Sequence, residues 1–155
     1  MKVKNPHTLF LKFVLGFIAL ASMSLCVYLL CTTNFLQPNP TIPLVLGLSI
    51  SDIPFIFALY QTFKLLTYVD KKIAFSDLSV MALQKIKYCA IGIGILYAVG
   101  EPYLFMLAQK EDAPGLVLFG GIIACACFVV AVLLAVLQKL LRSAIDLKTE
   151  NDLTV

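Results

Sequence analysis

LVLFGGIIACACFVVAVLLAVL, the stretch from Leu116 to Leu137, has no charged, amide or hydroxyl side chain in twenty-two residues. As an α-helix it would be about 33 Å long, enough to cross a bilayer core of roughly 30 Å. A buried helix of a water-soluble domain rarely needs so long an apolar run. The stretch therefore predicts a transmembrane helix that leaves residues 138–155 as a tail on one membrane face.

The composition extends this prediction to the whole chain. Its 155 residues are 61% hydrophobic and 14% charged, whereas soluble domains usually carry about 25% charged residues. Apolar runs over residues 13–32, 42–66 and 88–109 precede the one at 116–137, so we expect a single all-α domain over residues 1–155, a bundle of four transmembrane helices. The first run follows Lys2, Lys4 and Lys12 as in a signal peptide, but it is too long for one and we expect it to remain as a span.

Three connections separate these spans. TNFLQPNPT, residues 33–41, contains prolines that forbid a continuous helix, and KEDAPG, residues 110–115, is typical of a tight turn. In the longer connection, residues 67–87, Ser76 is a candidate helix N-cap; the helix after it either continues into the third span or lies on the membrane surface. In the tail, we expect a helix over 138–148 and an extended polar end over 149–155.

Basic residues predict the orientation. The N-terminus, the middle connection with its flanks and the tail hold 3, 5 and 3 Lys or Arg residues, whereas the other two connections hold 0 and 1. Because Lys and Arg concentrate in cytoplasmic segments, we expect a multi-pass protein of the cell membrane with the N-terminus and C-terminus in the cytoplasm.

Two carboxylates lie within predicted spans. Asp52 is about 15 Å from the outer end of the second span and Glu101 about 12 Å from that of the third. A carboxylate in this position costs roughly 2.5–3.5 kcal/mol on insertion scales and normally faces protein or water. The pair could share a cavity and a proton as an intramembrane polar site, which would be a proton or cation site or a ligand pocket that faces the outside. Alternatively, the pair could form a structural polar contact, or helix kinks could draw both carboxyls toward the interface. Ser49, Ser51, Tyr97 and Tyr103 are the other candidates for this site.

Enzyme chemistry is not indicated. His7 is the only histidine and lies near the N-terminus, and there is no phosphate-binding loop, zinc-protease motif or nucleophile elbow. Cys125 and Cys127 would point to different faces of one helix and have no histidine nearby. We therefore expect a non-enzymatic protein with no catalytic residues, no metal, no cofactor and no direct nucleic-acid binding, whose constant partner is the lipid bilayer.

Several short stretches resemble a known family. They are IPFIFALY (53–60), AFSDLSV (74–80), LQKIKY (83–88), EDAPG (111–115), VLQKLLRSAIDLK (136–148) and the C-terminal LKTENDLTV (147–155). In this order they resemble the YoaS-like family of small four-span bacterial membrane proteins, whose function is unknown. The resemblance implies an integral membrane protein of Gram-positive-type bacteria, often encoded beside a small helix-turn-helix regulator, and it transfers no catalytic residue.

Three functional hypotheses follow. In the first, the protein is a membrane sensor or regulator that binds a cytoplasmic helix-turn-helix transcription regulator through its tail, residues Glu150, Asn151, Asp152, Leu153, Thr154 and Val155. In the second, it is a small proton- or ion-coupled transporter that uses Asp52 and Glu101. In the third, it is an immunity protein against a membrane-active peptide. A homo-oligomer is also open, because Gly120, Gly121 and Ala124 form a small-residue patch on which another helix could pack.

Overall fold

The computed structural model describes residues 6–33, 40–71 and 73–153, and within them it contains four α-helices and no strand. Helix α1 spans Pro6–Thr32, α2 Ile42–Asp70, α3 Asp77–Lys110 and α4 Gly115–Leu153. Each of the four is long and apolar enough to cross a membrane. The predicted all-α fold with four membrane-spanning helices is confirmed.

The start of α3 decides between the two predicted positions of the helix after Ser76, which could continue into the third span or lie on the membrane surface. Ser76 has an extended backbone and is the N-cap residue, as predicted, although its hydroxyl makes no capping hydrogen bond. From Asp77 the helix runs without interruption through the third span to Lys110. The segment that could have lain on the membrane surface is thus the first part of a membrane-spanning helix.

The turn between α3 and α4 is short. The amide of Ala113 donates to the carbonyl of Ala108 at 3.0 Å, and Asp112 has a positive φ of 50°. This is the arrangement of a Schellman motif, in which a left-handed residue ends a helix; aspartate enters that region more readily than most residues. Because α4 begins at Gly115, α3 and α4 form an antiparallel hairpin.

The helices pack in chain order. The most extensive packing joins α3 to α4, followed by α2 with α3 and then α1 with α2, and no other pair among the described residues makes a close backbone approach. Of the ten apolar residues that are buried in the described part of the chain, seven belong to α3 and none belongs to α1. Helix α3 is therefore the centre of the fold, and α1 is its most loosely attached part.

Large apolar side chains cover the outside. Phe13, Val99 and Leu118 are 73%, 74% and 67% exposed, and the other three helices share this pattern with α1. Soluble monomers rarely expose apolar surface on this scale, whereas hydrocarbon chains of lipid cover it without cost. The surface agrees with four helices that lie side by side in a bilayer.

Polar contacts mark one end of the molecule, which we call the basic end and define by Lys12, Asp70, Lys87 and Gln138. Lys12 forms an ion pair with Asp70 that joins α1 to α2, and Lys87 donates a hydrogen bond to the side chain of Gln138 at 3.3 Å. The opposite end contains the α3–α4 turn and Pro40.

The tail differs from our expectation. Helix α4 continues through Leu153, so the prediction of an extended end is wrong for Thr149–Leu153. No proline or glycine occurs after Gly121, and Lys, Leu, Arg and Ala favour the helix up to Lys148, which lets it extend into the polar residues. Thr154 and Val155 lie outside the described residues.

Candidate functional site

Asp52 is half-buried and lines a partly open cavity between the helices. It is in the third turn of α2, and Ser49 and Ser51 of the same helix line the cavity with it. Tyr97 of α3 lines it from the neighbouring helix. Asp52 has no hydrogen bond or ion pair within the described part of the chain. The structure therefore brings together four of the six predicted site residues.

All four helices contribute to this cavity, which has a volume of about 300 Å³. Ser22 and Cys26 line it from α1, and Ile123 and Cys127 line it from α4. The cavity is the space that remains because α1 and α4 do not approach each other closely. We call it the Asp52 cavity.

Glu101 faces a different neighbour. A Cβ atom placed on Gly120 of α4 would lie 2.5 Å from Glu101 Oε2, and one placed on Gly121 would lie 3.5 Å from Oε1. The carboxyl group is therefore packed on the backbone of α4 where that helix has no side chains. Its Oε2 atom is buried and has no hydrogen-bond partner among the described residues.

Asp52 and Glu101 thus have separate surroundings. Glu101 does not belong to the described lining of the Asp52 cavity, and Tyr97 lies one helical turn before it on α3. The sequence could identify two carboxylates within spans, but not the direction in which each helix turns them.

Tyr103 belongs to a second cavity. Its hydroxyl donates a hydrogen bond to the carbonyl of Pro40, which ties α3 to the residues that precede α2. The cavity beside it has a volume of about 470 Å³, lies between α2, α3 and α4, and has an almost entirely apolar lining that includes Gly47, Gly100 and Gly120. Sequence reasoning missed this cavity; the glycines on three different helices were the only available signal.

The small-residue patch of α4 is used within the chain. Gly120 and Ala124 are buried, and Glu101 and Leu104 of α3 lie directly over Gly120. The expectation that this patch joins two copies is therefore not supported, because α3 already occupies it.

The predicted tail residues are at the end of α4. Glu150 and Asn151 are exposed in its last turns, and Asp152 and Leu153 complete the helix. Elsewhere in the described chain, no three His, Cys, Asp or Glu side chains come together as a metal site. The Asp52 cavity, the larger apolar cavity, the Glu101 contact and the tail are the features from which a function can be proposed.

Comparisons with known proteins agree on one family. The family model described as "Protein of unknown function (DUF2975)" matches residues 9–155. The chain is similar to the "Uncharacterized membrane protein YoaS" of Bacillus subtilis (strain 168), with 48% identity over 160 residues that cover 99% of this chain and 100% of the relative. No solved structure matches. The resemblance to YoaS-like proteins is thereby confirmed: the chain belongs to the DUF2975 family and is a membrane protein.

Proposed function

We propose that the protein is a non-enzymatic membrane sensor or regulator whose tail binds a cytoplasmic helix-turn-helix transcription regulator. The observation that carries the proposal is the continuity of α4. One unbroken helix of 39 residues contains Gly120, on which Glu101 packs, and also the tail residues up to Leu153. At 1.5 Å per residue it is about 58 Å long, roughly twice the bilayer core.

The pairing of α3 with α4 supports this role. Glu101 lies over Gly120, Gly94 faces Cys127, and Lys87 reaches Gln138. When this antiparallel register is continued to Asp77, the first residue of α3, the residues after Lys148 extend beyond the end of α3. The last turns of α4 are therefore left accessible to a second protein.

A rigid hairpin can carry a change from the membrane to the tail. Packed helices respond to a ligand by small shifts or rotations as whole elements, because their interiors do not deform continuously. A signal that alters the contact of Glu101 with Gly120, or the cavities beside it, would move α4 and with it the tail. Spans two and three would then detect the signal, and α4 would transmit it.

The choice of partner has two sources of support. The acidic side chains Glu150 and Asp152 complement the basic surface that a DNA-binding protein presents. The family resemblance further implies a helix-turn-helix gene nearby. With the basic end in the cytoplasm, as the distribution of Lys and Arg predicts, the tail would meet such a regulator directly.

The test is a pull-down from native membranes with three baits: the full-length chain, a chain that ends at Lys148, and a full-length chain with Glu150→Lys and Asp152→Lys. We expect that only the first bait captures a protein that is then identified as a helix-turn-helix regulator, while all three baits insert into the membrane equally. Equal capture by all three baits would contradict the role of the tail, and capture of no such protein by any bait would contradict the regulator proposal.

A second candidate function is a small proton- or ion-coupled transporter. It is favoured by one observation, which is that Asp52 lines a cavity formed by all four helices. This proposal predicts that Asp52→Asn abolishes flux in reconstituted vesicles without loss of folded protein. Flux that persists in both Asp52→Asn and Glu101→Gln would exclude it.

A further inference from the structure

We infer that the Asp52 cavity binds a small organic cation, such as a protonated amine with an apolar body. The cavity volume of about 300 Å³ is at the lower limit of pockets that hold small molecules. The inference does not depend on the tail or on transport, because a ligand bound here could serve either function. It concerns only what the cavity recognises.

The three serine hydroxyls of the cavity can act only as acceptors toward a ligand. Ser22 donates to the carbonyl of Ala19 at 3.1 Å, Ser49 to that of Val45 at 2.8 Å and Ser51 to that of Leu48 at 2.8 Å. A hydroxyl has one hydrogen, so each serine that donates to its own helix has only lone pairs left to offer.

The carboxylate of Asp52 adds a negative charge to these acceptors. No Lys or Arg belongs to the described lining of the cavity. Lys64, further along α2, lies over the ring of Tyr60, and Lys12 is paired with Asp70. A carboxylate inside a membrane protein is costly unless a donor or a positive charge compensates it. A cationic ligand that donates hydrogen bonds would supply both.

The rest of the lining favours an organic cation over a metal ion. Hard metal cations take about six or more oxygen ligands, whereas most of this lining is apolar, including Leu25, Leu48 and Ile93. Phe55 and Tyr97 also line the cavity, and aromatic faces attract ammonium groups. A carboxylate and serine oxygens among apolar and aromatic side chains match an ammonium group attached to a hydrocarbon.

The experiment is calorimetric titration of the full-length protein in an uncharged detergent. The probe is phenethylammonium, and its neutral counterpart is phenethyl alcohol, which has the same shape without the charge. We expect saturable binding of the amine and binding of the alcohol that is weaker by about tenfold or more, since each 1.4 kcal/mol changes affinity tenfold and loss of a buried charge pair costs more than that.

Two variants locate the site. Asp52→Asn keeps the shape of the side chain and should weaken amine binding by about tenfold or more. Glu101→Gln neutralises the other intramembrane carboxyl, outside this cavity, and should leave amine binding unchanged. If Asp52→Asn does not fold, Cys26→Phe fills the cavity from α1 with the carboxylate retained, and it should also abolish amine binding.

Four results would overturn the inference. Amine binding of equal strength in the wild type and Asp52→Asn would show that the carboxylate is not the recognition group. Unchanged binding in Cys26→Phe would place the amine elsewhere. Equal affinity for phenethyl alcohol and for the amine would show that the site recognises the apolar part of the ligand and not its charge. Saturable heat from sodium chloride with none from the amine would assign the cavity to an inorganic ion.

Discussion

The surroundings of an intramembrane side chain in this protein depend on which part of the neighbouring helices it faces. Glu101 packs on a stretch of α4 without side chains, whereas Asp52 meets a cavity. Two carboxylates with the same chemistry and a similar distance from the end of a span therefore have different surroundings. The difference arises from helix rotation, which turns one side chain toward α4 and the other toward the space between all four helices.

Gly120 should be the least replaceable glycine of α4. A Cβ atom there would lie 2.5 Å from both Glu101 Oε2 and Leu104 Cδ1. These atoms are ends of flexible side chains and can shift for alanine, but a larger residue separates α3 from α4. We expect Gly120→Val to destabilise the protein by about 1–3 kcal/mol, as overpacking does, measured by thermal unfolding in detergent.

The control for this prediction is Gly92→Val on α3. An added Cβ at Gly92 meets nothing within 4 Å, so this variant should change the unfolding temperature little. The double variant Gly120→Val with Glu101→Ala should regain part of the lost stability, because it removes one of the two side chains that clash. Equal destabilisation by Gly120→Val and Gly92→Val would show that the α3–α4 contact is not tight at Gly120.

The sequence predicts that Asp52 and Glu101 lie within spans but not which residues they contact, and this difference has a physical cause. A charged residue in an apolar run is visible in one dimension, and so Asp52 and Glu101 could be predicted as buried or cavity-facing. Their partners depend on the phase of α2 and α3 relative to their neighbours. When apolar residues surround a helix on all sides, as they do in lipid, periodicity carries little information about that phase.

Among the helices, α1 packs against α2 alone within the described part of the chain. None of its residues from Thr8 to Thr32, whose burial the structure describes, is buried. Its ion pair with α2 joins Lys12 to Asp70, each with 23% of its side chain exposed. Lys12 also lies 5.5 Å from the centre of the Phe63 ring. In contrast, α3 and α4 pack along most of their lengths. Helix α1 is therefore held by less extensive packing than α3 or α4.

Removal of the Lys12 charge should loosen α1. We expect Lys12→Met to lower the free energy of unfolding by about 1–2 kcal/mol, since a partly exposed ion pair and a cation–π contact are both lost. Hydrogen exchange should increase in α1 more than in α3. Lys71→Met, at an exposed position next to Asp70, is the control and should have little effect. A charge exchange, Lys12→Asp with Asp70→Lys, that restores no stability would contradict the importance of the pair.

The continuity of α4 can be tested where the helix leaves the predicted span. Leu140 is 61% exposed, so its replacement disturbs little packing against α3. Proline at this position removes the hydrogen bond to the carbonyl of Val136 and costs about 3 kcal/mol or more within a helix. We expect Leu140→Pro to raise hydrogen exchange throughout residues 141–153, whereas Leu140→Ala should not. Unchanged exchange in the proline variant would mean that the end of α4 is held independently of the span.

Helix existence was easier to predict than helix length. The four apolar runs predicted four helices, but the helices extend beyond those runs, and α3 and α4 do so by the most residues. The polar composition of Thr149–Leu153 suggested an extended chain. Nucleation of a helix is costly, but each residue added to an existing helix gains one hydrogen bond. A polar segment can therefore continue a stable helix.

The two ends of the whole molecule differ in their content of basic residues, and this difference predicts how the protein is oriented in a membrane. The ion pair of Lys12 with Asp70 and the long C-terminal part of α4 lie at the basic end. The opposite end has the short α3–α4 turn, with Lys110 as its only basic residue among those described. Because basic segments stay in the cytoplasm, we expect the turn outside the cell and the tail inside. In the proposed function, this orientation would let α4 connect an outer signal with an inner partner.

Cysteine labelling decides the orientation. Asp112→Cys, in the α3–α4 turn, should react with a membrane-impermeant maleimide in intact cells, while Lys148→Cys should react only after lysis. The unsubstituted chain gives the background from its five native cysteines. The reverse pattern would place the tail outside, where no transcription regulator can reach it, and would remove the proposed partner. It would leave the Asp52 cavity and its expected cation intact, because the contacts that form that site are the same in either orientation.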